Sequence, residues 1–282
     1  MKRFLLSMAA VFVLLTAFTS CSDDDNNENK FTPQTYNTWS KVVFGYGSMF
    51  DADETISVSE NTVTFHSKTW GDGSFNVSEL KLNSDGSYSV AGTGTLTMAG
   101  HGGTKDYEAS ITGSIAKDVQ SFIITVPSVM GGTVLNISVG QMPVVAAVDG
   151  TYKGGTYANS KYFQHYQPTE NEKVVVKAND ALDAVNISYT SEIWGTFTFE
   201  SINVTKNEDG SYTLSGEGNT LMPSMKGGTT EYAASFEGTI KDGSLVATFS
   251  VPAVMGGTTV LFNASDFAEV LAEAQSKNSS EE

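Results

Sequence analysis

The octapeptide VPSVMGGT at Val126–Thr133 returns as VPAVMGGT at Val251–Thr258, 125 positions later. Other phrases fall into the same frame. TWG at Thr69–Gly71 matches IWG at Ile193–Gly195, and SDGSYSVAGTG (Ser84–Gly94) matches EDGSYTLSGEG (Glu208–Gly218). GGTKDYEASITGSI (Gly102–Ile115) matches GGTTEYAASFEGTI (Gly227–Ile240). Upstream, NTW at Asn37–Trp39 is set against GTY at Gly150–Tyr152, with about eleven extra residues in the second copy. A period this long exceeds the 20–50 residues of solenoid repeats and indicates a whole domain duplicated in tandem.

Each copy reads as β-structure. Within Gly86–Met98 the even positions carry Tyr88, Val90, Gly92, Gly94, Leu96 and Met98, and the odd ones Ser, Ala and Thr. Period-two alternation of this kind marks a strand with one face buried and one wet. The second copy repeats it with Tyr212, Leu214, Gly216, Gly218 and Met222. Asp85-Gly86, Gly102-Gly103, Gly131-Gly132 and Asp242-Gly243 punctuate the runs at hairpin spacing. About eight short strands per copy, joined by tight turns, suit a sandwich or an up-and-down barrel. Glycines on the apolar face favour the barrel, because closure needs sharply bent strands.

The fold expected is therefore all-β: two tandem eight-stranded antiparallel up-and-down barrels, with domains over 36–143 and 144–264. Beyond them, Asn263 as cap with Phe267, Val270, Leu271 and Ala274 on one stripe predicts a short amphipathic C-terminal helix within a 265–282 helix and tail.

The G-x-W/Y opening, the DGSY hairpin, the GGT…Y-x-A-S-x-x-G strand and the V-P-x-V-M-G-G-T hairpin together resemble the calycin-like β-barrel domain of exported bacterial lipoproteins, twice over. The resemblance implies a lipocalin-shaped meander barrel and carries with it no activity or ligand.

The first residues set an expectation about compartment. Lys2 and Arg3 precede an apolar run, Phe4–Phe18, interrupted by Ser7 and Thr16 and followed by Thr19, Ser20 and Cys21. The run is short for a membrane span and reads as an export signal over 1–20. Cys21 is the one cysteine of the chain; its position resembles a lipobox, which implies lipidation at Cys21. An acidic polar tether, SDDDNNENK, opens the 21–35 segment. This pattern predicts a Gram-negative lipoprotein held in the outer membrane by its N-terminal lipid and facing the cell exterior. A periplasm-facing anchor and an ordinary signal peptide cut beside an incidental Cys are the alternatives.

Loss of Lys2 and Arg3 with the signal leaves 14 basic residues against 32 acidic ones, a net charge of −18. Arg3 is the only arginine. A chain so acidic and without guanidinium groups is unsuited to nucleic acid, whose recognition leans on basic grooves. With no cysteine after Cys21, no disulfide staples the mature domains, so two cores must supply the stability.

Candidate chemistry is sparse. His66, His101 and His165 are scattered and unmatched between copies, so no zinc set forms. DADE at Asp51–Glu54 has oxygen ligands but no calcium-loop pattern, and reads as a solvated loop. No nucleophile elbow accompanies the many serines and threonines. Trp70 and Trp194 read as core residues at a barrel end, and VMGGT as a Gly-Gly turn with the methionine tucked beneath it. The richest feature is the insertion in copy two, with Tyr157, Tyr162, Phe163, His165 and Tyr166 in ten residues; copy one offers Phe44, Tyr46, Met49 and Phe50. Aromatics gathered in a loop at a barrel mouth add contact area with little ordering cost. Tyr157, Tyr162, Phe163, His165, Tyr166, Tyr46 and Phe50 are accordingly the candidate ligand-binding residues, with a folded-back lid as the alternative for the loop.

The function expected is a non-catalytic surface lipoprotein, with no cofactor and no metal, binding a small apolar or amphipathic ligand, a glycan or a protein partner. A structural or adhesive surface protein with side-chain-filled barrels is the alternative, and a hydrolase with an unrecognised carboxylate pair is a third. A continuous interior cavity of about 300 Å³ or more distinguishes a carrier from a solid barrel.

Overall fold

The computed structural model describes residues 31–100, 103–164, 166–224 and 227–263. The expected export signal, Cys21, the SDDDNNENK stretch and the expected C-terminal helix fall on residues outside these.

Sixteen strands form two closed antiparallel barrels in plain meander order. The first comprises β1 (Gln34–Phe44), β2 (Gly47–Val58), β3 (Thr62–Ser67), β4 (Gly71–Leu82), β5 (Tyr88–Gly100), β6 (Gly103–Ile115), β7 (Gln120–Val126) and β8 (Thr133–Val139). The second comprises β9 (Gly150–Asn159), β10 (Tyr166–Ala178), β11 (Val185–Ser191), β12 (Gly195–Lys206), β13 (Tyr212–Pro223), β14 (Thr229–Lys241), β15 (Ser244–Val251) and β16 (Thr258–Asn263). Pairing of β1 with β8, and of β16 with β9, shuts each sheet on itself. Closure removes the free edges that would otherwise invite another chain to pair.

Alternation along each strand fills the two interiors. In barrel two Tyr189, Phe197, Phe199, Phe236, Phe249 and Phe262 are fully buried. Phe249 sits among them, with ring centroids 5.1 Å from Tyr189 and Phe197, 5.2 Å from Phe236 and 6.0 Å from Phe199. Barrel one buries Phe65, Phe75 and Phe122 with Ile56, Leu96 and Ile111. An eight-stranded barrel has a bore just wide enough for side chains or one small ligand. Here the side chains occupy it.

The ends are closed as well. At the lower end of barrel one, Phe31 is buried and meets Tyr88 edge-on at 5.1 Å. At the matching end of barrel two, a single 3-10 turn, Ala146–Val148, does the same work: Val145 and Val148 join the barrel core. Tyr152 donates its hydroxyl to the Val148 carbonyl at 2.8 Å. Burial and the nearby Asp149 carboxylate push the Tyr152 phenol up to about 12, so it stays a neutral donor.

The duplicated octapeptide closes the upper ends. Val126 and Val251 are buried, and then three residues in a row take positive φ: Met130 (49°), Gly131 (78°), Gly132 (102°), and Met255 (49°), Gly256 (73°), Gly257 (101°). Two of the three are glycine because a Cβ is disfavoured in that region. Thr133 Oγ1 donates to the Val129 carbonyl at 3.0 Å, as Thr258 Oγ1 does to Val254. The turn also receives the first hairpin of its barrel, since the Gly45 N–H donates to the Met130 carbonyl at 2.9 Å. A Cβ on Gly45 would stand 2.9 Å from that same oxygen. In barrel two Lys161 and Tyr162 of the β9–β10 loop lie against Gly256. The phrase is written twice because each barrel needs one such stopper.

The methionine placement corrects the sequence reading. Met130 and Met255 are not tucked under the turn but are 45 % and 51 % exposed, and the preceding valines turn inward instead. Gly132 has open space around its Cβ position. The Gly132→Ala variant is therefore expected to lose only the backbone penalty, about 1–2 kcal/mol, without displacing its neighbours; a urea melt of the full chain measures it.

Two further corrections concern the opening strands. Register and bulge position make Tyr152 the counterpart of Tyr36, not of Trp39: Thr38 pairs with Glu54 and Gly154 with Glu172, each just after a positive-φ residue, Asp53 or Asn171. DADE is likewise no solvated loop but part of β2, at the bulge where the register slips between Thr38 and Ser40.

Candidate recognition surfaces

The candidate aromatics divide by strand parity. Tyr46 stands at the tip of the β1–β2 hairpin, 76 % exposed, with its ring edge-on to Phe44 at 5.6 Å. Tyr162 occupies the equivalent tip in barrel two, 71 % exposed, with Lys161 Nζ 5.8 Å from its ring centre. The Tyr162 N–H donates to Ser160 Oγ at 3.0 Å and the Ser160 N–H to the Phe163 carbonyl at 2.8 Å, which holds the loop tight. Phe163 folds back on the core of barrel two, as the lid alternative anticipates. Tyr157 is half-buried on the outer face of β9, opposite Leu261. Tyr166 opens β10, paired with Ala158; His165 lies outside the described residues. Among the described side chains of the insertion Tyr162 is the exposed ring, set against the Gly256 turn that carries exposed Met255, and in barrel one Tyr46 follows Gly45, which bonds to the turn carrying Met130.

Phe50 lies elsewhere, on the outer wall. It pairs with Lys41 across β1–β2, whose ammonium sits 5.7 Å from its ring centre, and its ring lies 6.2 Å from Trp39. Trp39 shares parity with Lys41 and Val43, so it faces outward while Thr38, Ser40 and Val42 face the bore.

Trp39 also lines a cleft of about 670 Å³ between the outer wall of barrel one, the linker, and the β12–β13 corner of barrel two. Asn37, Asp53 and Thr55 contribute from β1 and β2, Gln141 and Met142 from the linker, and Lys206 and Tyr212 from the corner. Lys206 Nζ stands 5.9 Å from the Tyr212 ring centre. Further open grooves lie on outer faces or at a barrel end, among them one of about 520 Å³ on β4–β6 and one of about 570 Å³ beside Phe31 and Tyr88.

Among the described residues one carboxylate is buried. Glu54 is 1 % exposed and its Oε1 accepts from Ser40 Oγ at 2.9 Å. Asp51 accepts from Ser67 Oγ at 3.0 Å, and that same Oγ receives the Trp70 N–H at 3.0 Å. Burial, with the Asp51 carboxylate opposing the Ser40 bond, pushes Glu54 up to about 8. Glu54 Oε2 and Thr38 Oγ1 are buried without a hydrogen-bond partner. Nothing in the one-dimensional sequence marks Glu54 as buried, because the β2 bulge alone decides which of its acids turn inward. Among the described residues no group of three or more His, Cys, Asp or Glu side chains is placed to hold a metal ion. His66 Nδ1 meets Asp72 Oδ1 at 2.6 Å on the exposed face of β3–β4.

A pair of closed, filled, eight-stranded meander barrels defines the class of protein. The calycin-like beta-barrel domain model matches residues 50–140 and 148–264, and the chain belongs to that family, in two tandem copies. The fold is shared with a crystal structure of a Bacteroides fragilis protein provisionally described as an outer membrane protein. The likeness has a TM-score of 0.64 and 20 % identity, over 82 % of this chain and 96 % of that one. Among curated proteins none matches this chain.

Proposed function

We propose that the protein is a non-catalytic, lipid-anchored protein of the outer membrane that makes its contacts through outer walls and hairpin tips, its barrels serving as solid supports. The observation that carries this reading is the bore of each barrel, filled by buried aromatic and aliphatic side chains and stoppered at both ends. A carrier of a small apolar molecule needs room that these side chains occupy, since ligand cavities run to ~300 Å³ and more. The outward tips, by contrast, expose Tyr46, Met130, Tyr162 and Met255. The Bacteroides fragilis relative, described as an outer membrane protein, supports the envelope location, as does the Lys2–Cys21 pattern of the sequence. The acids Asp51 and Glu54 are tied to Ser67 and Ser40, and Glu54, though it borders the cleft between the barrels, is 1 % exposed and offers a substrate almost no surface.

Two measurements test the proposal. In its own host, the protein should incorporate labelled palmitate and be shaved from intact cells by proteinase K, and Cys21→Ala should release it into the soluble fraction. Protein purified from that host should weigh as polypeptide plus anchor. A stoichiometric apolar molecule released only on unfolding would replace this reading with that of a carrier.

A further inference from the structure

We infer that the cleft between the barrels is a binding site for a neutral oligosaccharide, an assignment that rests on the outer-surface reading above and names its ligand class. The cleft, about 670 Å³, has an aromatic side chain on each wall, Trp39 from barrel one and Tyr212 from barrel two. Around them stand Asn37, Gln141, Asp53 and Lys206. A pyranose ring has an apolar C–H face and a rim of hydroxyls that both donate and accept. Flat amphipathic rings suit the face, and a few placed polar groups fix the rim. The amides of Asn37 and Gln141 do both kinds of hydrogen bonding, Asp53 accepts, and Lys206 donates.

The mixture also excludes other classes. A fatty acyl chain would leave these polar groups unpaired, at a cost for each one buried. Asp53 and Lys206 supply one charge of each sign and Glu54, which also borders the cleft, adds no positive charge, so the lining has no excess of positive charge to attract an anion. The chain as a whole, at −16, repels acidic polysaccharides.

The walls are held in place by the linker. The Gly140 N–H donates to the Asn37 carbonyl at 3.0 Å, which fixes its start on barrel one. Val145 and Val148 bury into barrel two, and Asp149 accepts from the Ala178 N–H at 2.8 Å and from Lys177 Nζ at 3.0 Å. Only Gln141–Val144 lies between these anchors, which limits how far the two aromatic walls can separate. Trp39 is further steadied by Phe50, and Lys206 by Tyr212. Such preorganisation limits the entropy lost when a ligand binds.

The test is calorimetry of the full chain against linear gluco-, manno- and galacto-hexaoses. At least one should bind saturably, Trp39→Ala should weaken it by about ten-fold or more, as loss of an aromatic anchor does, and Trp39→Phe should restore most of the affinity. Because Trp39 lies on an outer wall, thermal melts of both variants should stay near that of the parent, which separates lost binding from lost fold. Hexaose binding abolished by Tyr162→Ser but indifferent to Trp39→Ala moves the site to the hairpin tips; it overturns the cleft and leaves the outer-surface reading standing. Absence of binding to every hexaose overturns the inference, whereas the outer-surface reading is judged separately by the mass of the host-purified protein.

Discussion

Phe249→Ala should destabilise the second barrel by about 3–5 kcal/mol, the usual cost of emptying a large buried aromatic site, and leave the first barrel where it was. Phe249 touches four of the other interior rings, and the strands around it are closed on both sides, so the walls have little freedom to collapse into the space. The two hydrophobic clusters share no residue. Trp70 belongs to one cluster and Trp194 to the other, so with Trp39 also replaced by Phe, the Trp70→Phe and Trp194→Phe backgrounds each keep a single tryptophan by which urea unfolding of one barrel is followed. The midpoint reported by Trp194 should fall sharply and that reported by Trp70 should hold. A joint shift of both would mean that the barrels unfold as one unit.

The second large effect concerns pH. Glu54 holds its proton up to about pH 8 in the folded protein, against an ordinary value of 4.5. The folded state therefore binds a proton that the unfolded state releases. Its stability is fullest below about pH 4.5 as far as this group is concerned, declines by about 1.4 kcal/mol per pH unit as pH rises through the window, and levels off above about pH 8. Glu54→Gln keeps the shape and a donor without the charge. It should flatten this slope and stabilise the first barrel at pH 8 by a few kcal/mol, roughly nothing at pH 4. Equilibrium melts at several pH values decide it. A Gln variant less stable than the parent at pH 8 would mean that the carboxylate is ionised and well paired in the fold.

Much of this architecture was legible in the chain before its coordinates. The tandem period, the parity of runs such as Tyr88–Met98 and the glycine turns fixed two meander barrels, because side-chain alternation and turn chemistry are local properties. Trp70 and Trp194 were placed correctly in the cores for the same reason. What failed depends on register. The Asp53 and Asn171 bulges add a residue on one strand without a distinctive letter, so DADE looked like a loop and Glu54 like a solvated acid. The methionines of VMGGT were misjudged because the composition of the turn does not say which of Val129 and Met130 goes under. Of the candidate aromatics, the exposed tips Tyr46 and Tyr162 stand where a mouth loop predicts, Phe163 folds back, and Phe50 joins a wall with Trp39. The cleft lined by Trp39, Gln141 and Tyr212 was invisible because it is assembled from three segments far apart in sequence.

Saturable uptake of a fluorescent fatty acid such as cis-parinaric acid probes the solid interior most directly, since a ligand within either bore would lie beside Trp70 or Trp194 and quench it. Titration of the full chain should give neither saturable fluorescence nor loss of tryptophan emission. One or two equivalents bound with quenching of these tryptophans would show hollow barrels and contradict the account.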